Sequence, residues 1–289
     1  MSRAAMLDPE DTRQVVLRAL AEDFRYGPDV TSMATASPGS SVTGEVVARS
    51  AGVVAGLPVA QAVAGALPAF GAEMAGVEAV PLRADGDRIE PGDAVLRVRG
   101  PAAAVLSAER TLLNFLTHMS GIASLTRLWV DAVEGTGAAI RDTRKTLPGL
   151  RLLEKYAVRC GGGVNHRMGL GDAALIKDNH IVAAGGVAKA IAAVRAAAPD
   201  IPLEVECDTL AEVRESLEAG ARFILLDNMP LDALRAAVAE ARRYPGACLE
   251  ASGGLRLETA RDVAMCGVDY LAVGALTHSS PALDLGLDF

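Results

Sequence analysis

The chain has 289 residues, 51% apolar but only 3% aromatic, so its cores must be built from Ala, Val and Leu, in one large domain or two modest ones. No run nears the roughly 20 apolar residues of a membrane span, the charged N-terminus lacks the apolar stretch of a signal peptide, and a net charge of −8 argues against nonspecific nucleic-acid binding. Cys160, Cys207, Cys248 and Cys266 are widely spaced with no CxxC pair, which fits the reduced thiols of a cytoplasmic protein better than a disulfide framework or zinc site.

The spacing of Val15, Val16, Leu20 and Phe24 predicts a helix over 12–23. A β-like run at 44–49 and a helix over 57–66 follow. From Asp85 to Arg99 turn signals alternate with short strands, in the manner of biotinyl- and lipoyl-carrier hairpins. Such carriers need a modifiable lysine, and no lysine precedes Lys145, so this half reads as a structural β-rich domain. A long helical pattern starts near Pro101 and runs past Leu116, and a second helix is expected over 123–133.

Beyond it, short β-rich runs alternate with Ala-rich helices. The runs lie at 138–142, 173–177, 202–206, 223–227, 247–250 and 270–274, and from Glu206 onward they recur at roughly 22-residue steps. Repeated βα units predict a parallel sheet with right-handed crossovers. The runs end in Asp142, Lys177, Glu206, Asp227, Gly253 and Gly274. Reactive positions at every strand end suit an α/β barrel, whose strand ends converge on one mouth. An open dinucleotide-binding sheet would concentrate them at one switch point and carry GxGxxG after its first strand; no such turn is present.

Charge is unevenly placed. From Arg141 to His180, eight Arg/Lys face four acids, a balance of +4 that leaves −12 for the rest. Arg144 and Arg167 can each make paired hydrogen bonds to a carboxylate or phosphate, Lys145 and Lys177 add compact charge, and His166 adds a donor. Glu206 and Asp227 end two later strands, where they suit Mg²⁺ or a developing ribosyl cation, or serve as ion-pair partners of the lysines. Ser252-Gly253-Gly254 and Val273-Gly274-Ala275 end the last two strands, where barrels cradle phosphate on backbone N–H groups; each is also compatible with a plain turn. Arg110, four residues after Leu106 and three before Leu113, interrupts an apolar helical face and calls for a counter-charge or a route to solvent. The residues thus describe a site for a polyanion bearing a sugar phosphate.

The motifs resemble the quinolinate phosphoribosyltransferase family. They are Glu109-Arg-Thr-Leu-Leu-Asn-Phe-Leu, Asp142-Thr-Arg-Lys-Thr-Leu-Pro-Gly, Gly162-Gly-Val-Asn-His-Arg, Ile176-Lys-Asp-Asn-His, Glu204-Val-Glu, Leu226-Asp-Asn-Met, Glu250-Ala-Ser-Gly-Gly and Val273-Gly-Ala-Leu-Thr-His, in family order over about 105–278. The resemblance implies an N-terminal α/β sandwich domain (1–112), an incomplete TIM-like α/β barrel (113–275) and a tail (276–289) packing back on the first domain. It implies Mg²⁺, phosphoribosyl pyrophosphate and quinolinate as partners, in a homodimer. Arg144, His166, Arg167 and Lys177 would hold the quinolinate carboxylates, with Arg110 reaching in from the adjacent subunit. Thr143 lies in the same strand-end loop. Lys145, Glu206 and Asp227 would handle ribose, pyrophosphate and metal as the catalytic set, and Ser252, Gly253, Gly254, Val273, Gly274 and Ala275 would hold the 5-phosphate. Three other readings compete: a molybdenum-operon homologue of the same fold with another substrate, a Schiff-base barrel lyase using Lys177, and a sugar-phosphate sensor without turnover.

Overall fold

A computed structural model of the chain describes residues 7–289, which fall into two compact units. The first comprises the residues up to Arg127, Thr146–Gly162 and Leu276–Phe289; the second comprises Leu128–Lys145 and Gly163–Ala275.

The first unit opens with α1 (Pro9–Asp23). The Asp8 carboxylate caps it by accepting the Asp11 N–H at 2.8 Å, Pro9 pre-sets the first turn, and Val16 and Leu20 are buried. After α2 (Val30–Thr35) come β1 (Ser41–Ala48), β2 (Gly52–Val53), α3 (Leu57–Ala66), β3 (Glu78–Pro81), β4 (Arg88–Ile89) and β5 (Ala94–Pro101). β5 pairs antiparallel with both β1 and β3, and β2 pairs with β4. Leu57, Val59, Ala60 and Val63 of α3 are buried beside β3.

The two helices expected between Pro101 and Val133 are one, α4 (Ala102–Ala132). Gly121 lies inside this helix without breaking it. A Cβ at that position would lie 2.1 Å from the Pro281 carbonyl oxygen, so glycine is there to let two backbones approach. The expected boundary at 112/113 therefore falls inside a continuous helix, and the compact units part at Arg127/Leu128.

The second unit is a parallel barrel-like sheet. Its strands are β6 (Ala139–Arg141), β7 (Ala174–Ile176), β8 (Leu203–Cys207), β9 (Phe223–Asp227), β10 (Cys248–Ser252) and β11 (Tyr270–Ala272). The intervening helices are α5 (Arg151–Cys160, part of the first unit), α6 (Asp178–Ala184), α7 (Val187–Ala197), α8 (Leu210–Glu218), α9 (Leu231–Ala241) and α10 (Ala260–Ala264). The spatial order β6-β11-β10-β9-β8-β7 is the chain order closed on itself with one unpaired seam, between β6 and β7. There Val164 pairs with Arg141, its N–H donating to the Ile140 carbonyl at 2.8 Å, so the segment before β7 lies alongside β6. Ile224, Leu226, Leu249 and Ala251 are buried, as are Val213, Leu217, Leu234 and Ala237 of the covering helices. Short α11 (Ala275–His278) leads to β12 (Leu285–Asp288), which pairs antiparallel with β1 and completes the first unit's sheet. Among the described residues no single helix is long and apolar enough to cross a membrane.

Candidate active site

Strand side chains alternate between faces, so residues two apart share one face. On the barrel's inner face this puts Lys177, Glu206, Asp227 and Ser252 in a ring at the C-terminal strand ends. Leu175, Glu204, Leu225 and Glu250 lie two residues below in the same strands. The registers put these side chains on one face, with the strands staggered: Asp227 stands opposite Ser252, and Leu225 opposite both Glu250 and Glu206. The ring and much of the layer beneath it line a cavity of about 330 Å³, walled further by Thr143, Arg144, Lys145, His166 and Arg167.

Local structure orients the cations. The Thr143 hydroxyl accepts the Lys145 N–H at 3.0 Å and holds that loop in a tight turn. The buried Asp142 carboxylate accepts the His166 N–H at 2.8 Å and the Asn165 side-chain amide at 2.5 Å, pinning the segment that carries His166 and Arg167 to the end of β6. Arg167 donates to the Ala173 carbonyl at 3.0 Å. Burial, and next the neighbouring Arg144 cation, lowers its guanidinium pKa. The Arg144 Nε is buried without a hydrogen-bond partner. Two crowded guanidiniums form a pocket that gains from an anion. The His180 ring accepts the Lys177 N–H at 3.0 Å, and the Lys177 ammonium forms an ion pair with Glu206.

Nine residues assigned from sequence therefore meet at one cavity: Thr143, Arg144, Lys145, His166, Arg167, Lys177, Glu206, Asp227 and Ser252. The others do not line it. Gly253 and Gly254 follow β10 with φ of 86° and 58°; a Cβ on Gly253 would meet the Asn228 side chain at 2.4 Å, so this glycine is required for close approach as well as conformation. Val273 is buried and donates its N–H to the Arg141 carbonyl at 2.9 Å, with Gly274 and Ala275 just after β11. Arg110 is exposed on α4. Leu113 on the same face is buried, but the Arg110 side chain itself reaches solvent, one of the two outcomes the apolar spacing left open.

The sequence reading assigned no role to Arg141, Glu204 and Glu250, all of which are more than four-fifths buried. Arg141 donates to Glu250 at 2.5 Å, lies 4.0 Å from Glu204 and stacks on the Tyr270 ring at 4.9 Å. Burial, then the Glu204 charge, pushes the Glu250 carboxyl up to about 7 against the pull of Arg141 and His166. The alternation Glu204-Val-Glu206 and Glu250-Ala-Ser252 was the signal that could have found these acids. His166, Glu204 and Glu250 offer three ligand atoms within 4.8 Å of one another, but the Arg141 guanidinium already supplies the compensating cation.

The chain matches the family descriptions Quinolinate phosphoribosyl transferase, N-terminal domain, over residues 29–120, and C-terminal domain, over 122–288. It is 54% identical over 277 residues to a nicotinate-nucleotide pyrophosphorylase [carboxylating] of Mycobacterium leprae, covering 96% of each chain. Among solved structures, NadC from Streptococcus pyogenes superposes with a TM-score of 0.91 at 39% identity (99% and 98% covered). The nicotinate-nucleotide pyrophosphorylase from Francisella tularensis gives 0.90 at 33% (100% and 99% covered).

Proposed function

The chain belongs to the quinolinate phosphoribosyltransferase family, and on that premise we propose that the barrel cavity binds quinolinate and phosphoribosyl pyrophosphate and yields nicotinate mononucleotide, pyrophosphate and CO₂, a step of NAD biosynthesis. The observation that carries the site assignment is the crowding of Arg144 and Arg167 beside Lys145 and Lys177 in one cavity, with the Arg144 Nε unsatisfied. A dianionic aromatic acid supplies what that cluster lacks.

Arg144 and Arg167, from two different loops, grip the two carboxylates with Lys177 and the His166 segment beside them. This orients the pyridine nitrogen towards C1 of the ribose. As the nitrogen attacks and pyrophosphate leaves, positive charge develops on the sugar. Glu206 and Asp227 stabilise that charge from fixed positions, and Lys145 neutralises the leaving oxygens. Once the nitrogen is quaternary it draws the electron pair of the adjacent C–CO₂ bond as CO₂ leaves, and that ring carbon then takes up a proton, so the chemistry asks for no electron-sink cofactor. Ser252 and the backbone around Gly253, Gly254, Val273, Gly274 and Ala275 receive the 5-phosphate.

Glu206 and Asp227 fit Mg²⁺. They are hard oxygen donors on adjacent strands facing one cavity, and two carboxylates make the partial set that Mg²⁺ completes with substrate oxygens and water. When bound, the ion supplies charge neutralisation for pyrophosphate. The reading includes a homodimer in which the exposed Arg110 of one subunit serves the partner's cavity, and a cytoplasmic setting, consistent with four free thiols.

The lyase reading is disfavoured because Lys177 is committed to an ion pair, not set in the apolar surroundings that activate an amine. With Mg²⁺ and phosphoribosyl pyrophosphate, the purified protein should convert quinolinate and use nicotinate poorly, since nicotinate leaves part of the cation cluster unpaired. Efficient turnover of nicotinate with none of quinolinate would refute the assignment.

A further inference from the structure

The layer beneath the ring of strand-end residues holds two acids that substrate binding and ribosyl transfer do not use. Glu204 and Glu250 are 8% and 2% exposed. Two like charges at that depth are costly, and the single cation Arg141, braced on Tyr270, is hydrogen-bonded to Glu250 while standing 4.0 Å from Glu204. A structural core would be served as well by one acid paired with Arg141, so the second acid needs its own reason.

Its geometry supplies one. The His166 Nδ1 accepts the backbone N–H of Arg167 at 2.7 Å, so in the neutral ring the proton sits on Nε2. The Nε2–H then points to the Glu204 carboxylate, 2.9 Å away, with Glu250 further off at 3.6 Å. Both ring nitrogens are committed: one to the peptide that begins Arg167, the other to a buried acid. His166 and Arg167 both face the cavity. A continuous chain of contacts thus runs from Arg141 through the acid pair and the imidazole to the backbone that aims the Arg167 guanidinium.

We propose that Glu204 is a positioning residue for quinolinate binding, acting through His166: its carboxylate holds the imidazole as the Nε2–H tautomer, whose Nδ1 fixes the Arg167 peptide. This rests on the cavity being the quinolinate site. The arrangement follows the general logic by which an acid selects a histidine tautomer.

The test compares Glu204→Leu with Glu204→Gln. Leucine has similar bulk and no acceptor, and its introduction leaves Arg141 and Glu250 as a balanced pair, which favours folding. Glutamine keeps an acceptor carbonyl for the Nε2–H. The readouts are ¹⁵N NMR of the free protein, with the His166 signals identified by their loss in His166→Asn, and calorimetric quinolinate affinity. The wild-type and Gln proteins should show the Nε2–H tautomer, and the Leu protein a shift from it. Leu should weaken quinolinate binding by about tenfold or more with the KM for phosphoribosyl pyrophosphate within about twofold, and Gln should recover most of that loss. Adding Glu204→Leu to His166→Asn should cost nothing further, because both lesions break one chain of contacts. An unchanged tautomer, wild-type quinolinate affinity in the Leu protein, or a full additional loss in the double variant would overturn the proposal. Arg144→Ala separates the two levels: if it too leaves quinolinate binding intact, the site assignment has failed; if it weakens binding while Glu204→Leu does not, only the positioning role has.

Discussion

Arg144 and Arg167 differ from Glu206 and Asp227 in when their charge matters. In the proposed reaction the arginines would meet a dianion that is fully charged beforehand, whereas the acids would face positive charge that develops only as pyrophosphate leaves. Replacing Arg144 or Arg167 by alanine removes charge-assisted hydrogen bonds of about 1.5–3 kcal/mol each, so quinolinate affinity should fall roughly 10- to 150-fold. Glu206→Ala and Asp227→Ala should instead lower kcat more than they weaken quinolinate binding. Steady-state kinetics combined with calorimetry distinguishes the two patterns. If all four variants change quinolinate affinity alone, this division of labour is wrong. Glu206 and Asp227 drew attention because each ends a β-like run, and Arg144 and Arg167 because they fall in the basic stretch between Arg141 and His180. Spacing along a helix does not say which face meets solvent; it left Arg110 either a counter-charge or a route to solvent, and Arg110 is exposed.

At the scale of elements, what could be read depended on whether a signal had one physical cause. The βα runs were legible because a buried parallel strand needs a short apolar stretch and its C-terminal end carries function. Glu204 and Glu250 carry no such signal in sequence, since the period-two alternation that stacks them under Glu206 and Ser252 becomes meaningful only once the sheet curls. Gly121 shows a signal with two causes. Glycine ends helices, but it also permits backbone contact, and in α4 the second applies. Gly121→Ala should therefore lower stability by about 1–3 kcal/mol through overpacking against Pro281, despite alanine's higher helix propensity. Urea unfolding reads the sign: a more stable Ala variant would mean that the Pro281 contact yields freely.

For the whole molecule, the exposed Arg110 carries the proposal that each site draws on two chains. Arg110→Ala and Lys177→Ala homodimers should each be nearly inactive. After subunit exchange, half the dimers are mixed, and in each of these one site combines an intact Arg110 with an intact Lys177. Activity should recover to about a quarter of wild type; no recovery, with exchange verified by mass-labelled subunits, would mean that Arg110 serves its own chain. The account as a whole holds that one cavity joins ribosyl transfer to loss of a carboxylate, because the quaternary nitrogen made in the first step drives the second. The most direct measurement follows quinolinate labelled in the carboxylate next to the ring nitrogen, recording labelled CO₂ and pyrophosphate together. The account predicts equal amounts of the two, and no labelled CO₂ when phosphoribosyl pyrophosphate is omitted. Labelled CO₂ released without phosphoribosyl pyrophosphate, or pyrophosphate released from quinolinate with the label retained in the nucleotide, would contradict it.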